Sequence, residues 1–125
     1  MARWLLPALL LALFPATASA SLKGTSWSFV RAEGKAVKDT DQRLRFEAHA
    51  KWTGRFNCNL YGGRYRERGD RLRFTDIRST AVGCDHPGPC AACAVVGARR
   101  FRLTERRLYL LGRRGRTLAV LKPRG

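Results

Sequence analysis

Gly54-Arg55-Phe56-Asn57-Cys58-Asn59-Leu60-Tyr61-Gly62-Gly63-Arg64-Tyr65 packs three glycines, a cysteine between two asparagines and three aromatic residues into twelve positions. Glycines at that density mark turns or close backbone approaches that a Cβ would block. Just before it, Trp52, Gly54 and Phe56 fall on one face of a period-two pattern. Just after it, Tyr65 to Thr75 reads as a hairpin around Arg68-Gly69-Asp70-Arg71, with Leu72 and Phe74 opposite to Arg71 and Arg73. The stretch is expected to form a tight corner between two strands, its glycines letting the chain turn.

Working outward, the same alternation recurs. Trp27 and Phe29 alternate with Ser26, Ser28 and Val30, and Glu33-Gly34-Lys35 stops them. Leu44, Phe46 and Ala48 oppose Arg43, Arg45 and Glu47, the period of a half-buried strand. Phe101 and Leu103 alternate with Arg100 and Arg102, then Leu108–Leu111 and Thr117–Leu121 follow across charged turns. Short strands at regular spacing predict an all-β sandwich or barrel. Only 85–98 breaks the rhythm, where Pro89 can open a short helix through Cys90–Ala94. Trp27, Phe29, Phe46, Trp52, Phe56 and Phe74 are the expected core.

Residues 1–20 have the pattern of a signal peptide. Arg3 supplies the positive start, Trp4 to Phe14 the apolar run, Pro15 a helix break and Ala18-Ser19-Ala20 the cleavage site. The run is shorter than the about 20 residues a spanning helix needs, so no transmembrane segment is expected after cleavage. The remaining 21–125 suits one domain, periplasmic or secreted. It keeps 24 basic and nine acidic residues, a net charge of +15. Such a field favours polyanions: anionic lipid, lipopolysaccharide or an acidic protein. Export argues against nucleic acid, and no basic-and-aromatic strand motif of the oligonucleotide-binding type occurs.

Arginine outnumbers lysine, and its planar fork suits phosphate and carboxylate, although a GC-rich genome produces the same bias. Arg43, Arg45, Arg71, Arg73, Arg100 and Arg102 occupy the polar positions of alternating strands. They either keep the surface soluble and the edges unpaired or form an anion-binding face. Nothing announces catalysis: the carboxylates are scattered, His49 and His86 lack positioned neighbours, and no nucleophile elbow or phosphate loop occurs. A non-enzymatic protein is expected.

Four cysteines in an exported chain point to disulfides, with three pairings open. Cys90-Ala91-Ala92-Cys93 has three readings. It can be a local staple, a thiol–disulfide exchange motif at a helix start, or part of a zinc set with Cys84 and His86. The oxidising compartment and the lack of a βαβ context favour the staple, with no cofactor.

The chain from Lys23 to about Lys122 resembles the META, or HslJ-like, domain family of bacterial envelope proteins. Gly24-Thr25-Ser26-Trp27 followed by Glu33-Gly34-Lys35-Ala36-Val37 is similar to the family's opening, and Leu44-Arg45-Phe46-Glu47 to its second strand. Gly54, Cys58, Asn59, Tyr61, Gly63 and Tyr65 are in register with one hallmark, and Ser79, Thr80 and Cys84 with a second. Asn57, Ala81 and Gly83 depart from the usual Gly, Arg or Lys, and Ala, and the usual later helix is shortened around an extra cysteine pair. The resemblance implies a small antiparallel barrel-like domain with at most one short helix, an association with stress, and no established catalysis. Lying in the two hallmarks, Cys58 and Cys84 are expected to pair, contributing roughly 3 to 3.5 kcal/mol by closing a loop of about 26 residues. Asn59 is expected to cap its turn through backbone hydrogen bonds.

Overall fold

A computed structural model describes residues 21–84 and 88–124. The expected signal peptide and His86 lie outside the described residues. The strands are β1 (Ser26–Ala32), β2 (Lys35–Ala36), β3 (Arg43–Phe46), β4 (Lys51–Phe56), β5 (Asn59–Arg68) and β6 (Arg71–Ser79). After α1 (Ala91–Gly97) come β7 (Arg100–Leu103), β8 (Leu108–Leu111) and β9 (Thr117–Pro123). Sheet order is β2-β1-β3-β4-β5-β6-β7-β8-β9, and β1 also pairs with β9. Every pairing is antiparallel. Eight strands thus close into a barrel, with β2 a two-residue flap on β1. Of the sandwich and the barrel that the periodicity allowed, closure selects the barrel.

Alternation fills the interior. All six expected core aromatics are buried, joined by Tyr65, Phe101 and a run of leucines. Phe46 meets Tyr65 edge-on at 5.0 Å, Trp52 meets Phe74 edge-on at 5.2 Å, and Phe29 meets Phe56 at 5.6 Å. Such ring pairs add about 0.5–1.5 kcal/mol beyond area burial. The helix starts one residue after Cys90 and runs to Gly97, burying Ala91, Ala94 and Val95. It touches β1, β6, β8 and β9. Those strands lie on opposite sides of the ring, so α1 covers one end of the barrel.

The corner differs from expectation in one respect. Its turn is the residue pair Asn57-Cys58, because Phe56 and Asn59 are directly paired across β4 and β5. The glycines lie inside the strands, not at the turn. They permit close approach. A Cβ on Gly54 would stand 2.7 Å from the Phe56 ring, and one on Gly63 would stand 2.5 Å from the Thr75 carbonyl oxygen and 2.8 Å from that of Asp76. Gly63 sits where the β5–β6 register shifts between Gly62 and Arg64, opposite the bulge that carries Asp76 at φ 52°. The left-handed position at the turn is Asn57, φ 58°. Asn tolerates that region better than other side-chain-bearing residues, which explains why Asn can replace the family's Gly there.

Gly63→Ala is therefore expected to cost about 1–3 kcal/mol, because fixed backbone carbonyls cannot yield to the new methyl. Urea unfolding of the variant against the parent measures it. A loss below the error of the extrapolation would mean the bulge relaxes freely.

Candidate functional site

Two regions combine unusual residues with exposure: the end of the barrel at the Asn57 turn, and the outer wall of β3 to β7. At the turn, Cys58 is disulfide-bonded to Cys84, with Cα atoms 5.8 Å apart. Cys90 is bonded to Cys93 within the start of α1, at 5.2 Å. Cys84, Cys90 and Cys93, three members of the zinc set, all lie in these disulfides. No group of potential metal ligands occurs among the described residues.

Asn59 does not cap its own turn. Its Oδ1 accepts from Val82 N at 2.6 Å and from Thr80 Oγ1 at 3.0 Å, and its Nδ2 donates to Val82 O at 3.1 Å. Thr80 Oγ1 in turn accepts from Leu60 N at 3.0 Å, and Thr80 N donates to Leu60 O. The amide thus acts as a short piece of strand, pairing the chain beyond β6 back onto β5. Asn59 bonds backbone as expected, but backbone 23 residues away. The two sequence hallmarks are two halves of one lock.

Beside this lock, Gln42 is buried and joins the β2–β3 loop to the turn. Its Nε2 donates to Asp39 Oδ2 at 3.0 Å and to Asn57 O at 3.3 Å, while its Oε1 accepts from Asn57 N. Asn57 Oδ1 accepts from Gly88 N at 2.8 Å. The Asp41 N–H, and then the Gln42 amide, hold the Asp39 carboxyl below its ordinary pKa of 3.8. These groups border a groove of about 730 Å³ that Val37, Lys38 and Pro89 also line. Within it Asp39, Gln42 and Asn57 are spent on one another, as a structural joint requires, while Lys35 and Lys38 at its rim are exposed.

The wall is different. Sequence alone left open whether the six arginines share a face. They fall into two groups: Arg71, Arg73, Arg100 and Arg102 on adjacent β6 and β7, and Arg43 and Arg45 on β3, separated by β4 and β5. Those intervening strands carry further exposed cations: Lys51 on β4 and Arg64, Arg66 and Arg68 on β5. A basic arc therefore runs over five strands. Sequence alone places Arg68 at the hairpin turn and assigns no role to Arg64 and Arg66. Their signal was the two-residue spacing of Arg64, Arg66 and Arg68 mirrored by Arg71 and Arg73 across Gly69-Asp70.

Within the arc the cations divide by whether they are already occupied. Asp41 gathers Arg43, Arg55 (3.2 Å) and Arg124 (3.5 Å), although the buried Arg55 Nε–H is not aligned to donate a hydrogen bond. Arg100 pairs with Asp70 at 3.4 Å. The Arg102 guanidinium lies 4.4 Å over the Tyr109 ring. By contrast, Arg66 is directly opposite Arg73, and Arg71 is directly opposite both Arg68 and Arg100. Opposed strand residues have Cα atoms about 4.5–5.5 Å apart, and like charges there destabilise the sheet.

A family model for the META domain matches residues 20–125. No curated protein matches the chain. Among solved structures, an NMR structure of a protein from Burkholderia xenovorans is similar at TM-score 0.69 and 22% identity, covering 94% of each chain. A crystal structure of a DUF4847 family protein from Bacteroides vulgatus is similar at TM-score 0.56 and 14% identity, covering 81% of this chain and 93% of that one. Identities this low show a shared fold.

Peptide mapping without reduction is expected to recover Cys58 with Cys84 and Cys90 with Cys93. On the chain-entropy model, Cys58→Ser with Cys84→Ser lowers stability by about 3.5 kcal/mol. The much shorter loop of Cys90 and Cys93 gives only about 2 kcal/mol. Urea denaturation of the two double variants checks the order; equal losses would contradict it.

Proposed function

We propose a function for this chain, which belongs to the META domain family: a non-enzymatic, exported protein that docks to anionic components of the cell envelope through the arginine arc of β3 to β7. One observation carries the reading. Two directly opposed arginine pairs, Arg66 with Arg73 and Arg68 with Arg71, stand on neighbouring strands of one wall with no carboxylate partner among the described residues, and Arg71 also faces Arg100, which pairs with Asp70. Solubility asks for mixed charge and disfavours large fields of one sign. Opposed like charges lower stability by a few tenths to about 1 kcal/mol each, so their presence makes sense where a ligand neutralises them. Two disulfides support an oxidising compartment. Among the described residues no helix is long and apolar enough to cross a membrane.

The reading predicts opposite effects of one substitution. Arg68→Gln raises stability in urea by about 0.2–1 kcal/mol by relieving repulsion, and weakens binding to vesicles containing phosphatidylglycerol. Binding of the parent falls steeply as salt shortens the screening length, about 8 Å at physiological ionic strength. Equal binding of the parent to neutral and anionic vesicles would falsify the proposal.

A further inference from the structure

The arc is not uniform. Near the β5–β6 turn it folds into a cleft of about 930 Å³, lined by Arg66, Arg68, Arg71, Arg73, Arg99 and Arg100 together with Tyr65 and Glu67. The carboxylates there are already engaged. Glu67 Oε1 accepts from Leu22 N at 2.9 Å, and Asp70 pairs with Arg100. Arg99 is spent on the end of α1, donating to Ala98 O at 2.9 Å and Val96 O at 3.2 Å. Arg66, Arg68, Arg71 and Arg73 make no side-chain hydrogen bond or ion pair among the described residues.

Those four form two rows. Arg66 faces Arg73 in one row, and Arg68 faces Arg71 in the next. Two residues along a strand separate the rows by about 7 Å. Each row presents two guanidinium forks from adjacent strands, a geometry that can hold one phosphate by charge-assisted, bidentate hydrogen bonds. Two rows hold two phosphates, provided that they belong to one molecule with a short connection. Clusters of basic side chains take phosphorylated headgroups between membrane-spanning helices, and the same charge chemistry is available in this cleft.

We infer that the cleft binds a lipid headgroup carrying two phosphates joined by a short bridge, as in diphosphatidylglycerol, one phosphate to each arginine row. This rests on the anionic docking proposed above and adds selectivity to it. A surface acting only through net charge ranks lipids by charge density. A two-row site prefers linked phosphates at the same charge, because the first contact raises the effective concentration of the second.

The experiment compares the full mature chain on vesicles of diphosphatidylglycerol and of phosphatidylglycerol, each diluted in phosphatidylcholine to the same total phosphate charge. The expected preference for the linked lipid is about tenfold or more. Arg66→Gln with Arg73→Gln, both exposed, abolishes the preference. Lys122→Gln, on β9 and outside the arc, keeps it, and circular dichroism checks that each variant is folded. Soluble glycerol bisphosphate competes, whereas glycerol monophosphate at equal phosphate does not, which places recognition in the headgroup. Equal affinity for the two lipids, an intact preference in the double variant, or failure of the bisphosphate to compete would each overturn the two-phosphate site and leave general docking standing. No binding to either vesicle would remove both.

Discussion

The pairing of β1 with β9 is the constraint on which the rest depends. Trp27 meets Pro123, Phe29 meets Leu121 and Ala32 meets Ala119 across it, joining strands from the two ends of the domain. Without this ladder β1 and β9 would be open edges with unpaired backbone groups, templates for aggregation. With it, only the two-residue β2 remains outside the ring. Contacts so distant in sequence are entropically costly to form. They are held by what they enclose: Trp27, Phe29, Leu118 and Leu121 are all buried at the seam.

Closure also determines where function can be. An eight-strand barrel has an interior just wide enough for side chains, and here aromatic rings and leucines fill it. The outer wall and the ends are the surfaces that remain exposed. The wall is not uniform. β3 to β7 display arginine at outward positions, whereas on the far side Tyr109 of β8 and Val120 of β9 face one another, with Arg31 of β1 and Lys122 of β9 the exposed cations of those strands.

At the barrel end, covalent and hydrogen-bonded links do related work. The Cys58–Cys84 disulfide and the Asn59–Thr80–Val82 hydrogen bonds attach the chain leaving β6 to the β4–β5 hairpin. That chain runs on towards α1, which covers the same core from strands on opposite sides of the ring. The shortened helix has a staple of its own in Cys90–Cys93. Seven residues are too few for a helix to hold by propensity, and the disulfide together with three buried apolar side chains supplies what its length does not.

Sequence by itself determined the strands, the aromatic core and the family, because period-two alternation and motif spacing are local and survive without any knowledge of neighbours. It also marked Gly54–Tyr65 as the centre of the pattern. What it could not supply was why. The glycines read as turn-makers, yet they lie within strands, since the carbonyls of Thr75 and Asp76 that exclude a Cβ at Gly63 come from a different strand. Asn59 read as a local cap, yet its partner is Val82. The arginines read as six candidates, paired on three separate strands. Only strand order brought Arg64, Arg66 and Arg68 into the arc, and only cross-strand register set Arg66 against Arg73 and Arg68 against Arg71. Closure, register and opposition are relations between distant segments, and tertiary structure alone decides them.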